Sequence, residues 1–151
     1  MTLTTTPGAT NADSYASLAQ ALAYHAAIGN AAWAASTDAL REPALRRATI
    51  WVDNSYRARW KGQRGVNGRS QALDWPRYGV LDSDGWYVDS ATIPLEVTNA
   101  TNEAALRELA LIQRGNVDHR LVVPFVHRHY HAVSGQGMET GICGIRARIS
   151  L

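Results

Sequence analysis

The segment WKGQRGVNGRSQALDWPRYG, from Trp60 to Gly79, decides how the rest of the chain can be arranged. It contains two of the five tryptophans, four Lys/Arg residues against one Asp, and four glycines. The glycines at positions 62, 65 and 68 interrupt any regular pattern, so the backbone must turn repeatedly there. The sequence therefore predicts a long central loop, rich in aromatic and basic side chains, between two helical regions.

The size and composition of the chain favour a single small globular domain. A length of 151 residues supports one modest core, and 46% apolar with 19% charged residues is typical of globular proteins. Cys143 is the only cysteine, which excludes an internal disulfide and a cysteine-rich zinc site. The chain shows neither a signal-peptide pattern nor an apolar run long enough for a membrane span. We therefore expect synthesis in the cytoplasm and no membrane partner.

Three long segments have the apolar repeat of amphipathic helices. They are expected to run from Asp13 or Ser14 to about Ile28, from Ser36–Asp38 to near Trp60, and from Pro94 to near Arg114. Between the first two, residues 30–35 predict a short helical turn whose Trp33 fills the core, since a large aromatic side chain buries much apolar area. His25, at the edge of the first apolar stripe, is interpreted as a structural histidine.

The last third of the chain changes from helical to extended patterning. Residues 121–133 and 143–151 alternate between two faces, and a glycine-containing turn separates them. The predicted fold class is mainly α: a small helical bundle of three principal helices, with a long central loop and a C-terminal β-hairpin or extended arm. The corresponding domains are a flexible N-terminal arm over 1–12, a helical domain over 13–115, and the β arm over 116–151.

Apolar side chains on two sides of the third helix indicate contacts beyond the chain's own core. Such a helix is either buried on both sides or packed against a second subunit. The two C-terminal strands would be marginal alone and also need a surface to pack on. The predicted oligomer or partner interface therefore consists of Leu95, Leu106, Leu109, Leu121, Val123, Phe125, Ile145 and Ile149.

The central loop suggests a second kind of contact. Residues 41–77 hold nine Lys/Arg and three Asp/Glu, although the whole chain has a formal net charge of only +2. Cations interleaved with aromatic rings are what a single strand of nucleic acid requires. The candidate contacts are Trp60, Lys61, Arg64, Arg69, Trp75 and Arg77. The alternative is that the tryptophans anchor the loop onto the helices, with the charges in solvent.

No pattern in the sequence predicts catalysis or a cofactor. His127, His129 and His131 would share one strand face, but no third ligand group completes a zinc site convincingly. The Asp82–Gly85 turn begins like a calcium loop, yet Ile93 occupies the position of the closing Glu. Cys143 lies in an apolar alternating segment, where an inert thiol is expected. We therefore expect a protein that is not an enzyme and carries neither cofactor nor metal.

Four segments resemble a known family: ADSYASLAQALAYHAAIGNAAWA, ALRRATIWVDNSYRARWKGQR, QALDWPRYGVLDSDGW and IPLEVTNATNEAAL. Over roughly Ala12 to Arg114 the chain resembles a phage and prophage family of DnaT-like single-stranded-DNA-binding proteins, and it is similar to head–tail adaptor (connector) proteins of tailed bacteriophages. The matching residues define a fold and form no catalytic set: Trp60, Gly62, Arg64, Gln71, Ala72, Leu73, Trp75, Pro76, Arg77, Gly79, Asp82, Gly85, Ile93 and Pro94.

The resemblance implies a structural role in the virion. As an adaptor, the protein would form a homo-oligomeric ring, commonly a dodecamer, below the portal protein and would dock the next head-completion (stopper) or tail protein. Double-stranded DNA would pass through the channel without sequence-specific binding. The protein would be made in the bacterial host cytoplasm and reside in the virion neck. The alternative is a single-stranded-DNA-binding protein that uses the basic aromatic loop 57–78.

Overall fold

The computed structural model describes residues 2–115, of which about half are helical. The α-helices in this part of the chain are α1 (Leu18–Ala27), α2 (Ala31–Ala34), α3 (Asp38–Tyr56) and α4 (Leu95–Gln113). Between α3 and α4, two-residue strands β1 (Gln63–Arg64) and β2 (Arg77–Tyr78) pair antiparallel, with Gln63 opposite Tyr78. The predicted bundle and central loop are present, and the sheet within the loop was not foreseen. The predicted β arm over 116–151 lies outside the described residues.

Packing of α3 against α4 forms the centre of the described fold. Alanines at the contact, including Ala44, Ala48 and Ala105, are fully buried and let the two backbones approach closely. Leu45 and Leu109 fill the space beside them, and burial of a leucine contributes about 1.5–3 kcal/mol. None of the helices described here is long and apolar enough to cross a membrane.

The ends of α3 and α4 follow their sequence signals. Thr37 precedes α3, and the helix gives way to a 3₁₀ turn at Arg57–Arg59, close to its predicted end. Pro43 lies in the second turn of α3, whereas proline is normally tolerated only in the first turn of a helix. Pro94 precedes α4, and Gly115 follows it with a φ of +67°, the left-handed conformation that glycine adopts easily after a helix.

The first helix begins later than predicted. Ser17 is its N-cap and forms a reciprocal capping box with Gln20. Asp13 does not cap the helix because its carboxylate has other partners. One oxygen accepts the backbone N–H of Thr4 at 2.8 Å, and the other accepts Nε of Arg46 at 2.7 Å.

The N-terminal segment 2–12 packs on the body, whereas the sequence analysis expected a flexible arm. Asp13 N–H donates to the Thr4 carbonyl at 2.9 Å, closing the segment on itself. The carbonyls of Gly8 and Ala9 then accept hydrogen bonds from Asn67 and Ala72 at 2.8 and 3.2 Å. These contacts use backbone groups, so an argument from side-chain composition could not detect them.

Trp33 fills the core between α1 and α3, as predicted. The residue is 1% exposed, and its ring centroid lies 4.4 Å from that of His25. Arg41 closes the end of α2 by donating to the carbonyls of Trp33 and Ala34. The interpretation of His25 as a buried structural histidine is likewise confirmed.

Lowering the pH from 7 to 5 is expected to reduce the free energy of unfolding through His25. Burial lowers the pKa of this histidine below its usual 6.5, although the Asn102 carbonyl and the Glu103 charge partly oppose the shift. Nε2 lies 3.1 Å from the Asn102 carbonyl and Nδ1 lies 2.9 Å from the Asn30 amide, an arrangement that suits the neutral ring. Below about pH 6.5 the unfolded chain therefore binds the proton first, and stability falls by at most about 1.4 kcal/mol per pH unit.

Chemical denaturation across this pH range measures the effect, with the variant His25→Gln as the control. The comparison is needed because burial raises the pKa of Asp53, which contributes to the pH dependence with the opposite sign. The variant should show a flatter dependence between pH 7 and 5. Identical slopes for both chains would contradict the assignment to His25.

Candidate functional site

One buried carboxylate holds the central loop in place through ion pairs with two arginines. Asp74 is 2% exposed, and two arginines bind it from opposite ends of the loop's first half. Arg57 Nε donates to Oδ2 at 2.8 Å, while Arg64 Nε and Nη2 donate to Oδ1 at 3.0 and 2.5 Å. The hydrogen bond to Asp74 is the main reason that the pKa of Arg57 lies above its usual value. These guanidinium groups are therefore engaged within the chain.

A second buried carboxylate connects the loop to α3. Asp53 accepts a hydrogen bond from the Tyr15 hydroxyl and another from the Asp74 backbone N–H at 3.2 Å. The Tyr15 hydroxyl accepts the N–H groups of Asp74 and Trp75 at 3.0 and 3.1 Å. Burial is the main cause that raises the pKa of Tyr15, and the Asp53 charge adds to it. This network joins the segment before α1, α3 and the loop.

The two loop tryptophans pack inward. Trp75 is 5% exposed and Trp60 is partly buried, with their ring centroids 5.6 Å apart and their planes at 87°. This edge-to-face contact adds to the stabilisation from burial itself. Because a buried ring offers no face for stacking on a base, the arrangement agrees with the interpretation of these tryptophans as anchors.

Arg77 also binds within the loop. Its Nε donates to the Lys61 carbonyl and its Nη2 to the Gly62 carbonyl, both at 2.7 Å. Gly62 has a φ of +67°, and a Cβ atom there would lie 2.3 Å from the Tyr78 carbonyl oxygen. Only glycine can occupy this position without moving the backbone. Of the six loop residues singled out from sequence, Lys61 and Arg69 alone are classed as exposed.

A turn after β2 presents two aromatic side chains to solvent. Trp86 is 74% exposed and Tyr87 is 79% exposed. The turn is built by Asp82, whose Oδ1 accepts the N–H groups of Asp84 and Trp86, both at 2.9 Å. The sequence pattern of this segment is compatible with a small β-hairpin or a folded-back loop, and a single bridge from Leu81 to Tyr87 shows the folded-back loop. We define residues 81–89 as the acidic aromatic turn.

The sequence analysis did not single out Trp86 and Tyr87 as candidate contacts. A signal was present, because a turn of the type Asp-x-Asp-Gly places the residues that follow it at the end of a projecting loop. Whether those residues fold back onto the body is decided by long-range packing. The adjacent Val80 and Val88 do turn inward, buried or partly buried, while the two aromatics do not.

The three candidate interface residues of α4 have different environments. Leu95 is 68% exposed at the start of the helix, whereas Leu109 is 1% exposed and packs against the chain's own core. Leu106 is partly buried at the edge of the core. The second apolar side of α4 is thus covered mainly from within the chain, and only Leu95 remains open to a partner. The other predicted interface residues lie outside the described residues: Leu121, Val123, Phe125, Ile145 and Ile149.

Residues 2–115 contain no group of His, Cys, Asp or Glu side chains arranged to hold a metal ion. The Asp82 carboxylate, which begins the calcium-like sequence, is used for backbone hydrogen bonds in the turn. His127, His129 and His131 lie outside the described residues.

Comparison with known protein families gives a match over most of the chain. The family model described as "Putative DnaT-like ssDNA binding protein" matches residues 1–124. No curated protein and no solved structure matches this chain. The matched range contains the entire central loop, its Asp74 network and the acidic aromatic turn. Since the match covers most of its length, the chain belongs to the family of DnaT-like ssDNA binding proteins.

Proposed function

We propose that this protein is a non-enzymatic assembly subunit: a head–tail adaptor of a tailed bacteriophage that closes into a ring of identical copies. The observation that carries the proposal is the exposure of Trp86, Tyr87 and Leu95, each more than two-thirds accessible. Large aromatic residues dominate the energetics of protein interfaces when they become buried. Their display on a small domain favours a protein that completes its packing against others.

The ring would occupy the neck of the virion. It would contact the portal protein on one side and a stopper or tail protein on the other, with double-stranded DNA in the channel. Repetition of one head-to-tail contact between identical copies can close such a ring without any additional protein. The engagement of Trp75, Arg57 and Arg64 in internal contacts supports assembly over strand binding, since Trp75 is buried and both arginines already pair with Asp74.

Purified protein is expected to form closed rings, and Trp86→Ala is expected to weaken self-association by about 10–100-fold, as for an interface hot spot. Analytical ultracentrifugation measures the association, and electron microscopy of virion necks locates the protein. Leu22→Ala on α1, at a residue 37% exposed, serves as the control because it removes apolar area outside the turn. Absence of the protein from virions would contradict the adaptor role.

Binding of single-stranded DNA is the second candidate function, favoured by the description of the family. Exposed Lys61 and Arg69 supply cations, and Tyr78, which is 49% exposed and pairs with Gln63 in the loop sheet, supplies an aromatic ring. In this case the binding surface would be formed by these residues in place of the buried Trp75.

If the chain binds single strands, its affinity for an oligothymidylate should fall about tenfold or more between 50 and 200 mM salt, because binding releases counterions. The variant Lys61→Glu with Arg69→Glu should reduce the salt dependence as well as the affinity. Fluorescence anisotropy of a labelled strand measures both quantities. Absence of binding at 50 mM salt would exclude this function.

A further inference from the structure

Charge is strongly segregated along the described chain. Residues 41–77 carry nine Lys/Arg, whereas residues 78–106 carry five Asp/Glu and not a single Lys/Arg. Much of the positive charge is neutralised internally, by ion pairs from Arg41, Arg46, Arg47, Arg57 and Arg64. The charged groups that form no ion pair determine which partners each surface can bind.

Three cations of the loop region are not neutralised in this way. Arg59, Lys61 and Arg69 are exposed and have no carboxylate partner within residues 2–115. Exposed apolar area accompanies them, since Val66 is 53% exposed and Tyr78 is 49% exposed. We define these five residues as the basic face.

The acidic aromatic turn has the opposite character. Asp82, Asp84 and Asp89 are exposed and form no ion pair within the described residues. They flank Trp86 and Tyr87, the two most exposed large apolar residues described. Three carboxylates around these rings repel phosphate groups, so a nucleic acid is a poor partner for the turn. A basic protein surface with apolar area is the complementary partner.

We propose that the acidic aromatic turn of one copy docks on the basic face of the next copy. The two surfaces carry opposite charge and both expose apolar side chains, and within residues 2–115 their charged groups do not pair. Two different, complementary patches on one subunit give a head-to-tail contact, which generates a ring when the rotation closes. The contact rests on the proposed function, because it specifies how the adaptor ring is held together.

Charge reversal tests the contact with two chains. Chain one carries Lys61→Glu and Arg69→Glu, which make the basic face negative. Chain two carries Asp84→Lys and Asp89→Lys, which make the turn positive because Asp82 is then its single acidic residue, and which spare the Asp82 hydrogen bonds that build the turn. Each chain alone is expected to self-associate at least about 100-fold more weakly than the wild type, because like charges then meet at the contact.

An equimolar mixture of the two chains should restore assembly. The negative turn of chain one then meets the positive basic face of chain two, and the positive turn of chain two meets the negative face of chain one. Complexes with alternating chains, seen by sedimentation and native mass spectrometry, would support the proposal. Arg107→Glu with Arg114→Glu, at exposed positions on α4 and just after it, is the control for chain one, with the same change in net charge. Thermal unfolding of every variant checks that each chain remains folded.

The other outcomes show whether the proposed contact fails by itself or together with the ring proposal. If the wild type assembles and both reversed chains assemble equally well, the contact is overturned and the ring proposal stands. A wild type that stays monomeric at millimolar concentration overturns both. If chain one loses binding to an oligothymidylate but still self-associates, the basic face is a nucleic-acid surface and the contact is overturned.

Discussion

Replacing Asp74 with alanine is expected to lower the free energy of unfolding by about 3 kcal/mol, the cost of removing one partner from a buried ion pair. The substitution leaves Arg64 without its carboxylate and frees Arg57. Arg57 has 58% of its side chain exposed, so water compensates for part of its loss. Most of the lost stability is expected to come from Arg64, which loses its carboxylate partner, and from the loop, which is no longer held in place.

Urea denaturation followed by circular dichroism measures this change. Asp84→Ala is the matched control, because Asp84 is exposed and its carboxylate has no partner in the described part of the chain. Its effect should stay within about 0.5 kcal/mol, as for most surface substitutions. Equal losses for the two variants would show that the Asp74 network does not hold the loop.

Trp75→Ala is expected to lower the free energy of unfolding by about 3–5 kcal/mol, the usual range for a buried tryptophan. The ring is 5% exposed and packs edge-to-face on Trp60, so its removal leaves a cavity where the loop meets the helices. Removal of the ring is also expected to disturb the hydrogen bond that the Trp75 backbone N–H donates to the Tyr15 hydroxyl.

Trp86→Ala provides the matched comparison, because the same atoms are removed from a ring that is 74% exposed. Its effect on monomer stability should stay within about 0.5 kcal/mol. The two variants should therefore affect different properties: Trp75→Ala the unfolding transition, and Trp86→Ala the self-association. Denaturation at a protein concentration below that of assembly measures the first property alone. Similar destabilisation by both variants would contradict the anchor role of Trp75.

The helices of the described fold could be predicted because their signals are local. Periodicity located all of the long helices, and glycine or proline marked the ends at Gly29, Pro94 and Gly115. The start of α1 was misplaced because Asp13 is a good capping residue that is used elsewhere, by Thr4 and Arg46. Local preference cannot reveal a partner that is distant in the sequence.

The candidate site was only partly predictable for the same reason. The sequence identified the loop and its aromatic and basic residues, but left open whether the tryptophans bind a ligand or anchor the loop. The burial of Trp75 and the partial burial of Trp60 favour the anchor. Asp74, which holds the loop through two arginines, is the single acid in a segment with four cations. Its companions Tyr15 and Asp53 are 59 and 21 residues away, so no short motif could reveal the network. The exposure of Trp86 is likewise a result of tertiary packing.

The bonds between the N-terminal segment and the central loop have a mechanical consequence. Tension applied at the start of the chain would first load the two hydrogen bonds that join Thr4 to Asp13. From Gly8 and Ala9 the load would pass to Asn67 and Ala72, so pulling on this end would also pull on the loop. A neighbour that grips the first residues would thus hold the loop in place as well.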